Sequence, residues 1–280
     1  MELSVRDISL GYGGHRVVER LSFETFSGEF LSLLGPSGCG KTTVLNALAG
    51  FIAPQEGEIF FDGRPVTALK PQERNIGMVF QNYALYPHMT AYDNIAFPLK
   101  VKGEPRASIA PRVRSIAALT RIEDILDRKP AEMSGGQQQR VAISRALVKQ
   151  PDLLLMDEPL SNLDAGLQIE MREEILRIQS QSGVTTIFVT HDQEEALSLS
   201  HRVILLQNGR IQQIGAPAEL YGAQKNFFTA SFFGNPPVNV LEGVGMGGEL
   251  ALFGGELRVA RPVAVGLEVN VAVLEGCCYV

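Results

Sequence analysis

At 280 residues and 45% hydrophobic content, the chain has enough apolar material for one large domain and a small companion. A formal charge of −6 with no basic run argues against a nucleic-acid backbone as partner. Cys39 sits in a glycine-rich stretch and Cys277 and Cys278 are adjacent, which makes no disulfide framework and fits a reducing compartment.

The opening MELSVRDISL carries charges where a signal peptide needs an apolar core. No stretch reaches the roughly 20 apolar residues that a membrane span requires. The expectation is a cytoplasmic chain that meets a membrane only through a partner. Residues 2–10 and 17–26 read as short strands, and Glu29–Leu34 as a buried strand entering a glycine-rich turn. A helix is predicted over Lys41–Ala49, ended by Gly50, and Asp62-Gly63 after Glu58–Phe61 marks a hairpin. Residues 85–150 read as a mostly helical insertion, its first part broken by Pro105 and Pro111. Asp152–Met156 and Thr185–Val189 are apolar runs of strand length. Between them Leu167, Met171, Ile175 and Ile178 fall on one helical face. A short helix over Asp192–Leu199 precedes a hairpin turning at Asn208-Gly209. Apolar strands alternating with helices predict a parallel α/β core over residues 1–235. Beyond Gly234-Asn235-Pro236-Pro237 the texture becomes glycine-rich and alternating, as in Val263–Val273, so 236–280 reads as a small β module.

Gly35-Pro36-Ser37-Gly38-Cys39-Gly40-Lys41-Thr42 fits G-x-x-x-x-G-K-[ST], between a predicted strand and a predicted helix. Glycines let the backbone wrap phosphates, with N–H groups aimed inward at a helix N-terminus. Lys41 can neutralise the β- and γ-phosphates, and the Thr42 hydroxyl can ligate Mg²⁺. Leu153–Met156 then delivers Asp157 and Glu158 to the C-terminal end of a strand, where open α/β sheets bind ligands. Asp157 can complete the Mg²⁺ shell, and Glu158 can polarise an attacking water. These motifs predict a nucleoside triphosphatase and go no further.

Met133-Ser134-Gly135-Gly136-Gln137-Gln138-Gln139-Arg140 narrows the class. Ser134 can cap a helix whose glycines leave its N-terminus open to a second phosphate. One chain with two phosphate-binding helix ends needs a second copy to use both. The stretch resembles the signature of ABC ATPases, with Met133 in place of the commoner leucine, a volume-conserving swap. That resemblance implies a P-loop NTPase fold with a helical subdomain over about 85–150, and a head-to-tail dimer around two ATP molecules. Each ATP would lie between Gly35–Thr43 of one chain and Ser134, Gly135, Gly136 and Gln137 of the other. It further implies that Tyr12 stacks on adenine and that Gln81 touches Mg²⁺ or the attacking water. Asp164, in Ser161-Asn162-Leu163-Asp164, would communicate across the dimer, and His191 would contact the γ-phosphate. Lys41, Gln81, Glu158 and His191 are thereby the catalytic set, and Thr42, Gln81 and Asp157 the metal set.

Phe80–Thr90, Asp93-Asn94-Ile95 and Gly234–Asn239 are similar to the importer ATPases for sugars and glycerol phosphate, the maltose-type family. This implies two membrane permease subunits, one cytoplasmic helix of which rests around Tyr83–Met89, and an external solute-binding protein. Polyamine or iron import and a soluble ABC ATPase are the alternatives. In that family an OB-like barrel follows the ATPase domain, and 236–280 is short for one, so a truncated module is expected.

Overall fold

The computed structural model describes residues 1–234 in full and, beyond them, the backbone of five strands; Asn235–Val238 of the predicted breaker lie outside the described residues. The chain divides into two compact units, Met1–Ile211 and Gln212–Val280.

In the first unit β1 (Leu3–Tyr12) and β2 (His15–Thr25) form a hairpin, with Tyr12 opposite His15. The strands run longer than the sequence pattern suggests, because the hairpin ladder carries on through the polar Arg16. β3 (Phe30–Leu34) is buried along its whole length and runs into α1 (Lys41–Ala49), where Gly50 closes the helix in a left-handed conformation. β4 (Glu56–Phe61) and the two-residue β5 (Arg64–Pro65) extend the first hairpin into an antiparallel sheet ordered β2-β1-β4-β5. After β6 (Ile76–Val79) come three helices, α2 (Ala91–Val101), α3 (Arg106–Leu119) and α4 (Gly135–Leu147).

Pro111 does not break the helical stretch as predicted: it lies inside α3, while Pro105 is that helix's N-cap. Ile109, Val113 and Ala117 recur at four-residue spacing and are buried, so packing holds the helix through the proline. β7 (Leu153–Asp157), α5 (Ala165–Ser182), β8 (Thr185–Thr190), α6 (Gln193–Leu199) and β9 (Arg202–Gln207) complete the core. As predicted, Met171, Ile175 and Ile178 form the buried face of α5, with Leu167 packed against it.

The second sheet has six strands, of which β9-β3-β8-β7-β6 run parallel in that order. Leu34 pairs with Thr190, and Asp157 with Val189, so β3, β8 and β7 end side by side on one edge. A parallel sheet covered on both faces needs nearly continuous apolar strands, and Leu31–Leu34 (broken only by the buried Ser32), Leu153–Met156 and Ile187–Val189 supply them.

Arg74, just before β6, is 3% exposed and acts as a second C-cap for α1. Its guanidinium donates to the carbonyls of Ala47 (2.7 Å), Leu48 (2.9 Å), Thr67 (3.0 Å) and Leu69 (3.0 Å). A Cβ at Gly50 would come 2.8 Å from Arg74 Nε, which accounts for glycine at that corner.

β10 (Arg210–Gly215) follows the Asn208-Gly209 turn and runs into the second unit. That unit adds α7 (Pro217–Gly222), α8 (Phe227–Phe233) and strands β11 (Asn239–Gly245), β12 (Glu249–Leu252), β13 (Gly255–Arg258), β14 (Glu268–Leu274) and β15 (Cys277–Tyr279). The last five pair antiparallel in the order β13-β12-β11-β14-β15. Within the alternating segment Val263–Val273, residues 263–267 lie outside the described residues, and the side chains of Cys277 and Cys278 are likewise not described.

Candidate nucleotide site

The turn after β3 is shaped by backbone contacts. A Cβ on Gly35 would lie 2.2 Å from the Leu206 carbonyl oxygen and 2.8 Å from Cys39 Sγ. Gly40, the N-cap of α1, has φ of 104° and faces Val18 Cγ2 at 2.8 Å. Gly38, at φ 80°, has open space, so its glycine serves conformation alone. Pro36, Ser37 and Gly38 are exposed at the rim, and Cys39 is buried beneath them, its thiol pushed up by burial and drawn back in part by Lys41.

Lys41 is 5% exposed. Its Nζ donates to the carbonyls of Gly35 (2.7 Å) and Pro36 (3.0 Å), and its third hydrogen meets only the weak acceptor Cys39 Sγ at 4.0 Å, which a phosphate in the loop can replace. Thr42 is exposed, Thr43 half-buried, and Thr42 Oγ1 donates to Asp157 Oδ1 at 3.1 Å. Two residues far apart in sequence thus bring hard oxygen donors to one point, a donor set that suits Mg²⁺ with phosphate oxygens and water as remaining ligands. Burial raises the Asp157 carboxyl above the ordinary range; the Thr42 bond and Lys41 oppose this, and Glu158 adds to it.

Glu158 stands one residue beyond Asp157 at φ 43°, a left-handed conformation costing about 1–2 kcal/mol for a residue with a Cβ. Its N–H bonds the Val189 carbonyl (3.0 Å), and its side chain reaches His191 Nδ1 at 3.2 Å. The turn therefore parts the two carboxylates, one toward Thr42 and one toward His191. Ser161 Oγ donates to the Glu158 carbonyl at 2.9 Å and accepts from Gln81 Nε2 at 3.2 Å, while Asn162 Nδ2 donates to the Gln81 carbonyl at 2.7 Å. Gln81 is thereby tied to the Glu158 turn, with its amide oxygen unbonded among the described residues. The role of Ser161 as that link could not be read from the sequence, where it is one small residue in a loop.

Lys41, Thr42, Gln81, Asp157, Glu158 and His191 are thus assembled along one sheet edge. Tyr12 is half exposed in the β1–β2 hairpin. Ser134–Gln137 are complete in themselves. Ser134 Oγ accepts from Gln137 N (3.3 Å) and Gln137 Oε1 accepts from Ser134 N (3.0 Å), a capping box opening α4. Among the described residues no hydrogen bond or ion pair joins them to Gly35–Thr43. The glycines there have a second reason: a Cβ at Gly135 would come 2.9 Å from Leu163 Cδ2, and one at Gly136 3.1 Å from Leu167 Cδ1. Asp164 caps α5, accepting from Leu167 N at 3.0 Å.

The stretch Tyr83–Met89 divides. Tyr83 is buried at φ 60° against Leu160 and Leu163, and its hydroxyl has no hydrogen-bond partner. Arg145 of α4 donates to the Tyr83 and Ala84 carbonyls at 2.8 and 2.6 Å. Asn94, fully buried, accepts from Tyr86 N at 2.8 Å and faces the Tyr86, Met89 and Thr90 carbonyls with its amide nitrogen. Ala84 and Tyr86, not Tyr83, line a groove of 810 Å³ together with Phe80, Phe97, Val101 and Lys149.

A phosphate loop, paired carboxylates and a histidine would serve many triphosphatases; a separate capped glycine helix end narrows them. The ABC transporter family profile matches residues 18–161. The chain belongs to the ABC transporter family. Its fold is that of an ABC ATPase: CbiO1 of Clostridium perfringens, part of the ABC transporter complex CbiONQ, superposes with a TM-score of 0.73 at 28% identity, over 80% of this chain and 91% of that one. Among curated ABC relatives, the trehalose/maltose import ATP-binding protein of Thermococcus litoralis is 50% identical over 85% of this chain. The sn-glycerol-3-phosphate import ATP-binding protein of Vibrio vulnificus is 49% identical over 93%. The spermidine/putrescine import ATP-binding protein of Marinobacter nauticus is 50% identical over 83%. The chain spans 66%, 70% and 62% of the length of these three relatives.

Proposed function

We propose that the chain is the ATP-binding and ATP-hydrolysing subunit of an importer for a carbohydrate or glycerol phosphate. The observation that carries this is the sheet edge on which Lys41, the Thr42–Asp157 pair and the Glu158–His191 pair stand together. Gly35–Thr43 wraps the phosphates, and Lys41 places its remaining hydrogen on them. Mg²⁺, when bound, neutralises phosphate charge, and Thr42, Asp157 and the Gln81 amide oxygen are the groups that would hold it. Glu158 accepts a proton from the attacking water, and His191 holds the base in place and faces the γ-phosphate. Catalysis is positioning and charge stabilisation.

The second half of each site is the Ser134–Gln137 helix end of another copy, or of a paired ABC subunit, with Asp164 at the junction. Tyr12 stacks on the adenine. Two membrane permease subunits are the partners, with the groove beside Tyr86 as their seat, and an external solute-binding protein feeds them. This places the chain on the inner face of the membrane. Residues 1–235 are the ATPase domain and 236–280 belong to an OB-like module, a reading supported by the five antiparallel strands. The polyamine-import relative supports a second reading, in which the solute is a polyamine.

The test is ATP turnover by the purified chain with Mg²⁺. Glu158→Gln is expected to bind ATP and turn over at least about a hundredfold more slowly. Near-normal turnover in that variant removes Glu158 from the role of base. Uptake of labelled maltose, glycerol 3-phosphate and spermidine by vesicles carrying the whole transporter decides the solute.

A further inference from the structure

His191 is half exposed and, among the described residues, its ring is bonded to the Glu158 side chain, so its position depends on the turn that carries it. That turn lies between Thr190, the last residue of β8, and Asp192, the N-cap of α6. Thr190 Oγ1 accepts from the Asp192 N–H at 3.0 Å, closing a loop around His191. The same hydroxyl donates to Glu195 Oε2 at 2.6 Å, and Glu195 N–H donates to Asp192 Oδ1 at 2.9 Å. On one side of His191, Thr190 is therefore held by the Glu195 carboxylate; on the other, Asp192 is held by the Thr190 hydroxyl and the Glu195 N–H.

Glu195 is 4% exposed and Thr190 2%. Burial pushes the Glu195 carboxyl up; Thr190 pulls it down, Asp192 raises it, and Arg172 and His191 lower it. Burying a carboxylate is costly, and α6 gains nothing general from it. Glu194 already supplies charge to its first turn and Asp192 its cap, while Ala196 and Leu199 fill its buried face. The acid stands at the one position of α6 that reaches back to the residue before His191.

We propose that Glu195, acting through Thr190, is a positioning residue that fixes the His191 ring on Glu158. The inference rests on reading the chain as an ATPase, and it assigns His191 its orientation rather than its chemistry. Errors of about an ångström in such a group cost rate far more than they cost substrate binding.

The test uses the full chain and compares wild type with Glu158→Gln, Glu195→Ala, Glu195→Gln, Thr190→Val and the Glu195→Ala/Thr190→Val pair. Turnover is measured alongside imidazole ¹⁵N spectra; with 4 histidines in the chain, the His191 signal is assigned by His191→Ala. Glu195→Ala and Thr190→Val are each expected to lower kcat about tenfold, to leave KM for ATP within about twofold, and to move the His191 signal. The pair should be no worse than either single change, because both break one connection. Glu195→Gln keeps an acceptor oxygen for Thr190 and should return kcat to within about threefold of wild type. Unchanged kcat in both single variants overturns the proposal. So does a fall in thermal stability with KM and kcat altered alike and the His191 signal in place. A wild type without turnover defeats the ATPase reading instead, and a fully active Glu158→Gln removes only Glu158 as base; in both cases the His191 signal still decides whether Glu195 holds the ring.

Discussion

The sheet edge and the opening of α4 are the two regions proposed to bind phosphate, and they differ in what they lack. At the edge, three strands in register present a lysine bonded to its own loop, a hydroxyl bonded to one carboxylate, and a histidine beside the second carboxylate. At Ser134 the helix end is closed on itself by its capping box, and no catalytic side chain is bonded to it among the described residues. One region is a site short of its far wall; the other is a wall short of a site. The pairing of two copies proposed above would give each region what it lacks.

Ser134→Arg puts a large cation where the partner's phosphate would lie. Hydrolysis should fall at least about a thousandfold, while nucleotide binding by the isolated chain stays within about twofold. Loss of binding as well, seen by equilibrium dialysis, would mean that the α4 end serves its own chain's nucleotide. Arg74→Met strands four carbonyls, two at the C-terminal end of α1 and two in the segment Thr67–Leu69, so about 3 kcal/mol of stability should be lost in urea unfolding, with nucleotide binding weakened through the phosphate loop at the other end of that helix. Gly135→Ala drives a methyl toward Leu163; about 1–2 kcal/mol of destabilisation is expected, with hydrolysis falling more than binding. A neutral result would show that Leu163 yields and that the glycine serves the helix end alone. Tyr83→Phe removes an unpartnered buried hydroxyl and should be neutral or stabilising by up to about 1 kcal/mol in thermal unfolding. A loss would reveal a partner that the hydroxyl meets elsewhere in the working cycle.

The sequence carried the edge well because phosphate chemistry demands residue types at fixed spacing: glycines at 35, 38 and 40, then Lys41 and Thr42 at a helix start. It carried the class because a capped glycine helix end such as Ser134–Gly136 has little purpose in one chain. The connections within the site were not legible. Ser161 and Asn162 gather Gln81 to Glu158 only once β6 lies beside β7, and Glu195 reaches Thr190 only once the turn from β8 into α6 has closed. Pro111 was misread because local backbone preference predicts a break, whereas the buried row Ile109, Val113 and Ala117 is a tertiary fact. Tyr83 shows the same limit: its neighbours Ala84 and Tyr86 line the groove, but a left-handed backbone at Tyr83 and Ala84 turns that ring into the core.

The register of β8 between β3 and β7 also has a consequence in time. β3 is made early, but both of its pairing partners, β8 and β9, follow it by some 150 residues of synthesis. At a ribosomal pace of about 5–20 residues per second, the phosphate loop waits many seconds for the strands that brace it. Parallel pairing of such distant segments is intrinsically slow, and nucleotide cannot template it before β8 arrives. The α1 cap formed by Arg74 and the β1–β2–β4 sheet are made from nearby segments, and they are what the nascent chain can fold around meanwhile.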